Sequence, residues 1–279
     1  HLKAQGQRNW HRLDAVLAAL DAARERGMQV SCDRYPYVAY STGLANLFPI
    51  WAREGGAEQF VARLQAPEHA ERIRSYVLDK VDALGSWNSV LISSLGGEKY
   101  ASFAGKRMGD LSEELRKQPY NLLLEIMIDR DGGGGMVGFG MSEDNTTRIL
   151  AHPYTIIASD GSARAIDGPL SGGNPHPRNF GTFPRVLGYY VREQKALPLP
   201  EAIRKMTALP AQVAGLRNRG LLREGYWADI TVFDADRVLD RATFAEPKQY
   251  PIGIEQVIVN GQLVVRDGEH TGSMPGVVL

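Results

Sequence analysis

The sequence predicts an α/β fold to about residue 217, followed by a small β module over 218–279. Three observations predict it. A segment with helical periodicity runs directly into a short apolar strand, the order expected of a parallel α/β sheet or barrel. A second short apolar strand, near residue 155, ends in Asp160-Gly161 and opens into a loop dense in glycine and proline. Beyond Gly220 the helical periodicity gives way to strand-like segments, two of them joined by the hairpin signal Asn260-Gly261.

The elements follow in order. Between Asn9 and Gly27, Trp10, Leu13, Val16, Leu17, Leu20 and Ala23 recur at helical spacing, and Gly27 is suited to end the helix. Residues 28–33 read as a short buried strand entering Tyr35-Pro36-Tyr37, where proline stops ladder pairing. Residues 44–150 are less regular, with helices at 57–65 and 67–84, a strand near 88–93, and helices at 110–117 and 120–130 separated at Pro119. The glycine run at 132–135 reads as a flexible turn. It lacks both the following Lys-Ser/Thr of a phosphate loop and the spaced glycines of a dinucleotide site. Ser142 ahead of Glu143 and Asp144 marks a helix N-terminus, since a capping hydroxyl and early acids suit the helix dipole. The second strand covers 154–159, and helices follow near 183–195, 199–207 and 210–215. Strands at 229–233, 254–259 and 262–266 make up the tail.

Composition narrows the function. Lys and Arg number 32, Asp and Glu also 32, so no basic excess is present for a nucleic acid or an anionic membrane. A small molecule recognised by local charges is the expected partner. Cys32 is the only cysteine and has no partner for an internal disulfide. No apolar run approaches the roughly 20 residues of a membrane span, and the first residues carry no apolar signal-peptide core. These features lead to the expectation of a cytoplasmic location.

Four positions stand out for chemistry. Asp160 closes a strand at a glycine turn, and strand C-termini are where catalytic groups collect in α/β barrels. A carboxylate there can bind a cation or relay a proton, or it can simply accept hydrogen bonds from its own turn. His1 and Lys3 alternate, so in extended backbone both side chains enter one pocket; the alternative is a terminal histidine with no role. Arg178, in His176-Pro177-Arg178, can grip a carboxylate through two parallel bonds, or stand exposed in its loop. His11, His69 and His270 read as surface residues, and His152-Pro153 as a turn-shaping pair. There is no Gly-x-Ser-x-Gly elbow, and no local partner marks Cys32 as an activated nucleophile.

Several strings, taken in order, resemble the N-acyl-D-amino-acid deacylase (D-aminoacylase) branch of the amidohydrolase superfamily. They are His1-Leu2-Lys3, Asp33-Arg34-Tyr35-Pro36-Tyr37, His152-Pro153 leading to Ser159-Asp160-Gly161, and His176-Pro177-Arg178. Gly181-Thr182-Phe183-Pro184-Arg185, Lys205-Met206-Thr207, Ala228-Asp229-Ile230, Val259-Asn260-Gly261 and Asp267-Gly268-Glu269-His270 continue the series to the C-terminal end.

The resemblance implies the C-terminal part of a (β/α)8 barrel over 1–217, carrying strands six to eight with an insertion at 44–150. It implies the C-terminal share of a small β-sandwich over 218–279. It makes His1 a Zn2+ ligand from the sixth strand and Asp160 a residue that touches the metal and acts as general base and then acid. It assigns the substrate carboxylate to Lys3, Tyr35 and Arg178. The implied reaction is hydrolysis of N-acyl-D-amino acids, giving a carboxylate and a free D-amino acid. The family's His-x-His pair and its fifth-strand histidine have no counterpart in these 279 residues. The chain is therefore expected to be a fragment, needing the missing N-terminal portion of the same enzyme. A cyclic amidase or dihydroorotase-like hydrolase is the neighbouring alternative, since its sandwich signatures are similar. A catalytically inactive structural module is the alternative outside enzymes.

Overall fold

A computed structural model describes residues 1–279. The chain enters in extended backbone, and after a 3-10 turn forms α1 (Leu13–Glu25) and β1 (Cys32–Arg34). There follow β2 (Ala39–Gly43), α2 (Ile50–Arg53), α3 (Ala57–Gln65), α4 (Pro67–Leu84) and β3 (Val90–Ser94). Then come α5 (Met108–Glu114), α6 (Pro119–Asp129), β4 (Gly135–Phe139), α7 (Glu143–Ala151) and β5 (Thr155–Ile157). After a long loop, α8 (Arg178–Arg185), α9 (Leu199–Met206) and α10 (Ala208–Val213) precede a tail of β6 (Ile230–Phe233), β7 (Ile254–Val259), β8 (Gln262–Arg266) and β9 (Glu269–His270).

Three sheets result. β1 and β5 pair in parallel, with Asp33 opposite Ile156. The amide of Leu2 donates to the Asp33 carbonyl at 2.8 Å, and Ala158 to that of Arg34 at 3.1 Å, so residues 1–3, 33–35 and 158–160 lie side by side at one end. The second sheet is antiparallel in the order β2-β4-β3, and the third antiparallel in the order β6-β7-β8-β9.

The largest apolar core lies where the sequence pattern is least regular. Ile73, Val77, Val81 and Leu84 form a buried stripe along α4 at helical spacing. They join Phe48, Phe60, Leu111, Leu123 and Ile126 under the β2-β4-β3 sheet. A smaller cluster of Leu150, Ile157, Val186, Tyr190, Leu197 and Ala202 packs around β5.

Most predicted elements form with small shifts; the exceptions have identifiable causes. Of residues 28–33 only Cys32 and Asp33 belong to a strand. The amide of Met28 turns back to the carbonyl of Ala23 at 3.1 Å, closing α1 instead of joining a ladder. The helix expected from 183 begins at Arg178, runs through Pro184 and continues as a π-helical stretch, Val186–Glu193. Pro184 resembles a first-turn proline in sequence, but here it removes one intrahelical bond from a running helix. β2 and β4 were not expected, because glycines at 135 and 138 weaken the strand pattern. The tail hairpin forms as predicted: Asn260 and Gly261 both adopt positive φ, 48° and 78°, as a tight two-residue turn requires.

The segment between β6 and β7 packs back against α8 and its continuation. Gly188 permits the approach, since a Cβ there would lie 2.6 Å from the carbonyl oxygen of Val238. Arg192 donates to the same carbonyl at 2.7 Å. No helix is long and apolar enough to cross a membrane.

Candidate active site

The three adjacent backbone ends at residues 1–3, 33–35 and 158–160 bring the predicted site residues together. His1 Nδ1 bonds to Asp33 Oδ1, and His1 Nε2 stands 3.1 Å from Asp160 Oδ1. Asp33 thus orients the ring and leaves Nε2 directed at Asp160, the arrangement in which a carboxylate behind an imidazole holds it for a metal. Donors at about 2.0–2.1 Å from a tetrahedral zinc stand roughly 3.3 Å apart, so this pair fits two corners of one cation site. A catalytic zinc takes about three protein ligands. No group of three or more His, Cys, Asp or Glu side chains here is placed to hold a metal ion. The residues present therefore fit part of such a site.

Asp160 has φ of +50°, in the left-handed region that a non-glycine residue enters at a cost. The following Gly161 amide donates to Ser159 Oγ at 3.1 Å, which closes the turn and aims the carboxylate back across the strand ends. Its second oxygen is 2.8 Å from Arg178 Nη1.

Tyr35 is the centre of a cationic group. Its ring is fully buried. Lys3 Nζ donates to its hydroxyl at 3.3 Å, while Arg34 and Arg178 stand 4.8 and 4.9 Å from its ring centroid. Burial, and next the charge of Arg34, pull the Lys3 ammonium below its ordinary value. Burial pushes the Tyr35 hydroxyl up, so it is a neutral donor. Three positive side chains crowd one ring, which makes this end of the site a place for an anion. Arg178 supports the same reading. Its side chain is 8% exposed, and its Nε and Nη1 have no aligned hydrogen-bond acceptor, although Nη1 touches Asp160.

All four predicted positions, and Tyr35 with them, thus converge. The sequence patterns gave no role to Arg34 or His176. Arg34 is buried and donates to the Tyr37 carbonyl at 2.7 Å and to Thr146 Oγ1 at 2.8 Å, tying β1 to α7. His176 donates from Nε2 to the Ala39 carbonyl at 3.0 Å, and its Nδ1 accepts the Arg178 amide at 3.0 Å. Burial, then the charge of Arg178, pull its pKa down to about 3, so it is a neutral strut between β2 and the start of α8. Its place two residues before Arg178 was the only sequence signal for it. Of the other histidines, His11 and His270 are exposed as expected. His69 is half-buried with its ring against Trp51, and His152 bonds to Asp21 at 3.1 Å, away from the site.

These features define a metal-compatible acid–imidazole pair beside an anion-binding group, on an α/β frame. A model of the Amidohydrolase family matches residues 139–265. An N-acyl-D-glutamate deacylase of Alcaligenes xylosoxydans xylosoxydans is 36% identical over 261 residues, covering 94% of this chain and 43% of that protein. A solved D-aminoacylase with a binuclear metal centre superposes with a TM-score of 0.72 at 34% identity, over 98% of this chain and 47% of that one. An N-acyl-D-glutamate deacylase from Bordetella bronchiseptica, complexed with zinc and a phosphonate mimic of the tetrahedral intermediate, gives 0.71 at 34% identity, over 97% and 48%. Over nearly its whole length the chain is similar to N-acyl-D-amino-acid deacylases of the amidohydrolase family. It spans about half the length of the curated relatives it matches.

Proposed function

We propose that this chain supplies the substrate-binding and proton-transfer half of a metal-dependent deacylase that hydrolyses N-acyl-D-amino acids. The observation that carries the reading is the His1–Asp160 pair, 3.1 Å apart, directly beside the anion group of Lys3, Tyr35 and Arg178. An amide substrate with a free α-carboxylate needs both features at this separation.

His1, held by Asp33, and Asp160 are the residues that would hold the metal, and zinc suits an imidazole with a carboxylate. When bound, such an ion polarises the scissile carbonyl and lowers the pKa of its water toward about 7. Lys3, Tyr35 and Arg178 receive the α-carboxylate and fix the amide carbon against Asp160. Asp160 takes one proton from the attacking water as the new C–O bond forms. It returns that proton to the amide nitrogen as the C–N bond breaks, and the products are a carboxylic acid, which ionises by giving its proton to solvent or to the amine, and a free amino acid. Asp160 is suited to both steps because it is partly exposed and held by Arg178 on one side only.

The remaining ligands would come from a segment outside these residues, which is consistent with relatives about twice as long. On this reading residues 1–217 are strands six to eight of a barrel with an insertion at 44–150, and 218–279 share in a small sandwich. The β6-β7-β8-β9 sheet supports that last point, since none of its strands contains a fully buried residue.

The test is to express the polypeptide from its native start codon and assay N-acetyl-D-amino acids, their L-counterparts and hydantoins, before and after chelation. Hydrolysis of the D-amides that is lost on chelation and restored by zinc is expected. Turnover of hydantoins alone, or turnover indifferent to chelation, overturns the reading.

A further inference from the structure

The crossover between β6 and β7 carries a residue to the back of the site. Its two ends are pinned where Leu239 and Ile252 exchange backbone hydrogen bonds, at 3.2 and 3.0 Å. At its tip a turn is closed twice. The Thr243 amide donates to the Glu246 carbonyl at 3.1 Å, and the Glu246 amide donates to Thr243 Oγ1 at 2.9 Å. Phe244 stands on this turn, half-buried. Turns favour Gly, Pro, Asn, Asp and Ser, so a phenylalanine held here needs a packing reason.

Its ring meets three others edge-on. The centroids lie 4.7 Å away at Phe139, 5.1 Å at His176 and 6.1 Å at Tyr37. Two of these partners converge on Ala39: Phe139 pairs with it across β4 and β2, and its carbonyl accepts the His176 bond. The Phe244 ring therefore backs the imidazole that receives the Arg178 amide at 3.0 Å. The Phe244 carbonyl in turn accepts from Asn174 Nδ2 at 2.9 Å, and the Asn174 amide donates to the Ser93 carbonyl at 2.8 Å.

One turn thus touches both Asn174 and His176 in the string Asn174-Pro175-His176-Pro177-Arg178. Two prolines with fixed φ stiffen that string. A displacement at Asn174 or His176 is then carried on to Arg178 and is not absorbed between them. Phe244 itself does not line the cavity beside Asp160, so it can act on substrate only through these neighbours. We propose that Phe244 is a positioning residue: its ring and carbonyl set where Arg178 stands, and through Arg178 the grip on the substrate carboxylate. The small β module thereby takes part in substrate binding. The inference rests on the deacylase reading above and adds a residue to it from outside the site.

The polypeptide expressed from its native start codon is assayed on the N-acetyl-D-amino acid that it turns over fastest, with melting curves for each variant. Phe244→Ala empties the space behind the imidazole and should raise KM about 10-fold while kcat stays within about threefold, the pattern of a misplaced binding group. Phe244→Leu refills that space and should recover most of the loss. Asn174→Ala should raise KM about threefold, for one side-chain bond. It removes no buried apolar surface, so it decides alone if Phe244→Ala does not fold. A KM that stays at the wild-type value in the folded variants, with or without a fall in Tm, overturns the inference while the deacylase reading stands. A loss confined to kcat does the same. Failure of the wild type to hydrolyse any N-acyl-D-amino acid instead sinks the deacylase reading, and the inference with it.

Discussion

Replacing His176 with alanine tests how the site is held. The ring is 1% exposed and makes two hydrogen bonds, to the carbonyl of Ala39 and from the amide of Arg178. Alanine leaves one buried carbonyl and one buried amide without these partners, at about 1–3 kcal/mol each. It also removes edge contacts to Tyr37 and Phe244, both 5.1 Å away between centroids. A loss of about 3–5 kcal/mol at pH 7 follows. The pH dependence is more diagnostic. His176 titrates near 6.5 when unfolded and at about 3 when folded, so the unfolded chain binds the extra proton between those values. Its stabilisation is complete above pH 6.5 and is lost as pH falls toward 3, reaching about 2 kcal/mol of loss by pH 5. Alanine cannot titrate, so the stability gap between wild type and His176→Ala should narrow by that amount between pH 7 and pH 5. Urea unfolding at half-unit pH intervals measures it. A gap that stays constant over this range would refute the neutral-strut assignment.

Three further outcomes are expected. Asp160→Asn, which keeps the shape but not the base, should lower kcat by about 10²–10⁴ with little change in thermal stability, as read by steady-state kinetics and melting curves. Arg178→Lys should raise KM for the N-acyl-D-amino acid about 10-fold or more with a smaller change in kcat, because an ammonium cannot reproduce a planar two-bond grip. Asp240→Ala should cost about 3–5 kcal/mol in denaturant unfolding. Its carboxylate faces Arg185 Nη1 at 3.5 Å in a mostly buried setting, and Arg185 Nε in turn holds the Pro36 carbonyl at 2.9 Å.

The local elements were largely legible because their causes are local. The stripe on α4, the Ser142 cap whose hydroxyl accepts the Asn145 amide at 3.2 Å, and the Asn260-Gly261 turn each depend on a few neighbouring residues. The candidate residues His1, Lys3, Tyr35, Asp160 and Arg178 were singled out by strings whose order along the chain carries information, and the structure brings them together. β2 and β4 were hidden, because a glycine-bearing strand is specified by the strand it pairs with and by the ring of Tyr40 that covers it, not by its own pattern.

The sequence alone determined which chemical groups are available: one imidazole, one strand-end carboxylate and several cations. Only the tertiary structure decided their geometry. Three backbone ends up to about 160 residues apart must lie side by side before Asp33 can orient His1, His1 can face Asp160, and Arg178 can stand over Tyr35. His176 acquires its role by being buried. Hydrogen bonding and desolvation act on distances in space, and spacing along the chain does not fix those distances until the strands have paired.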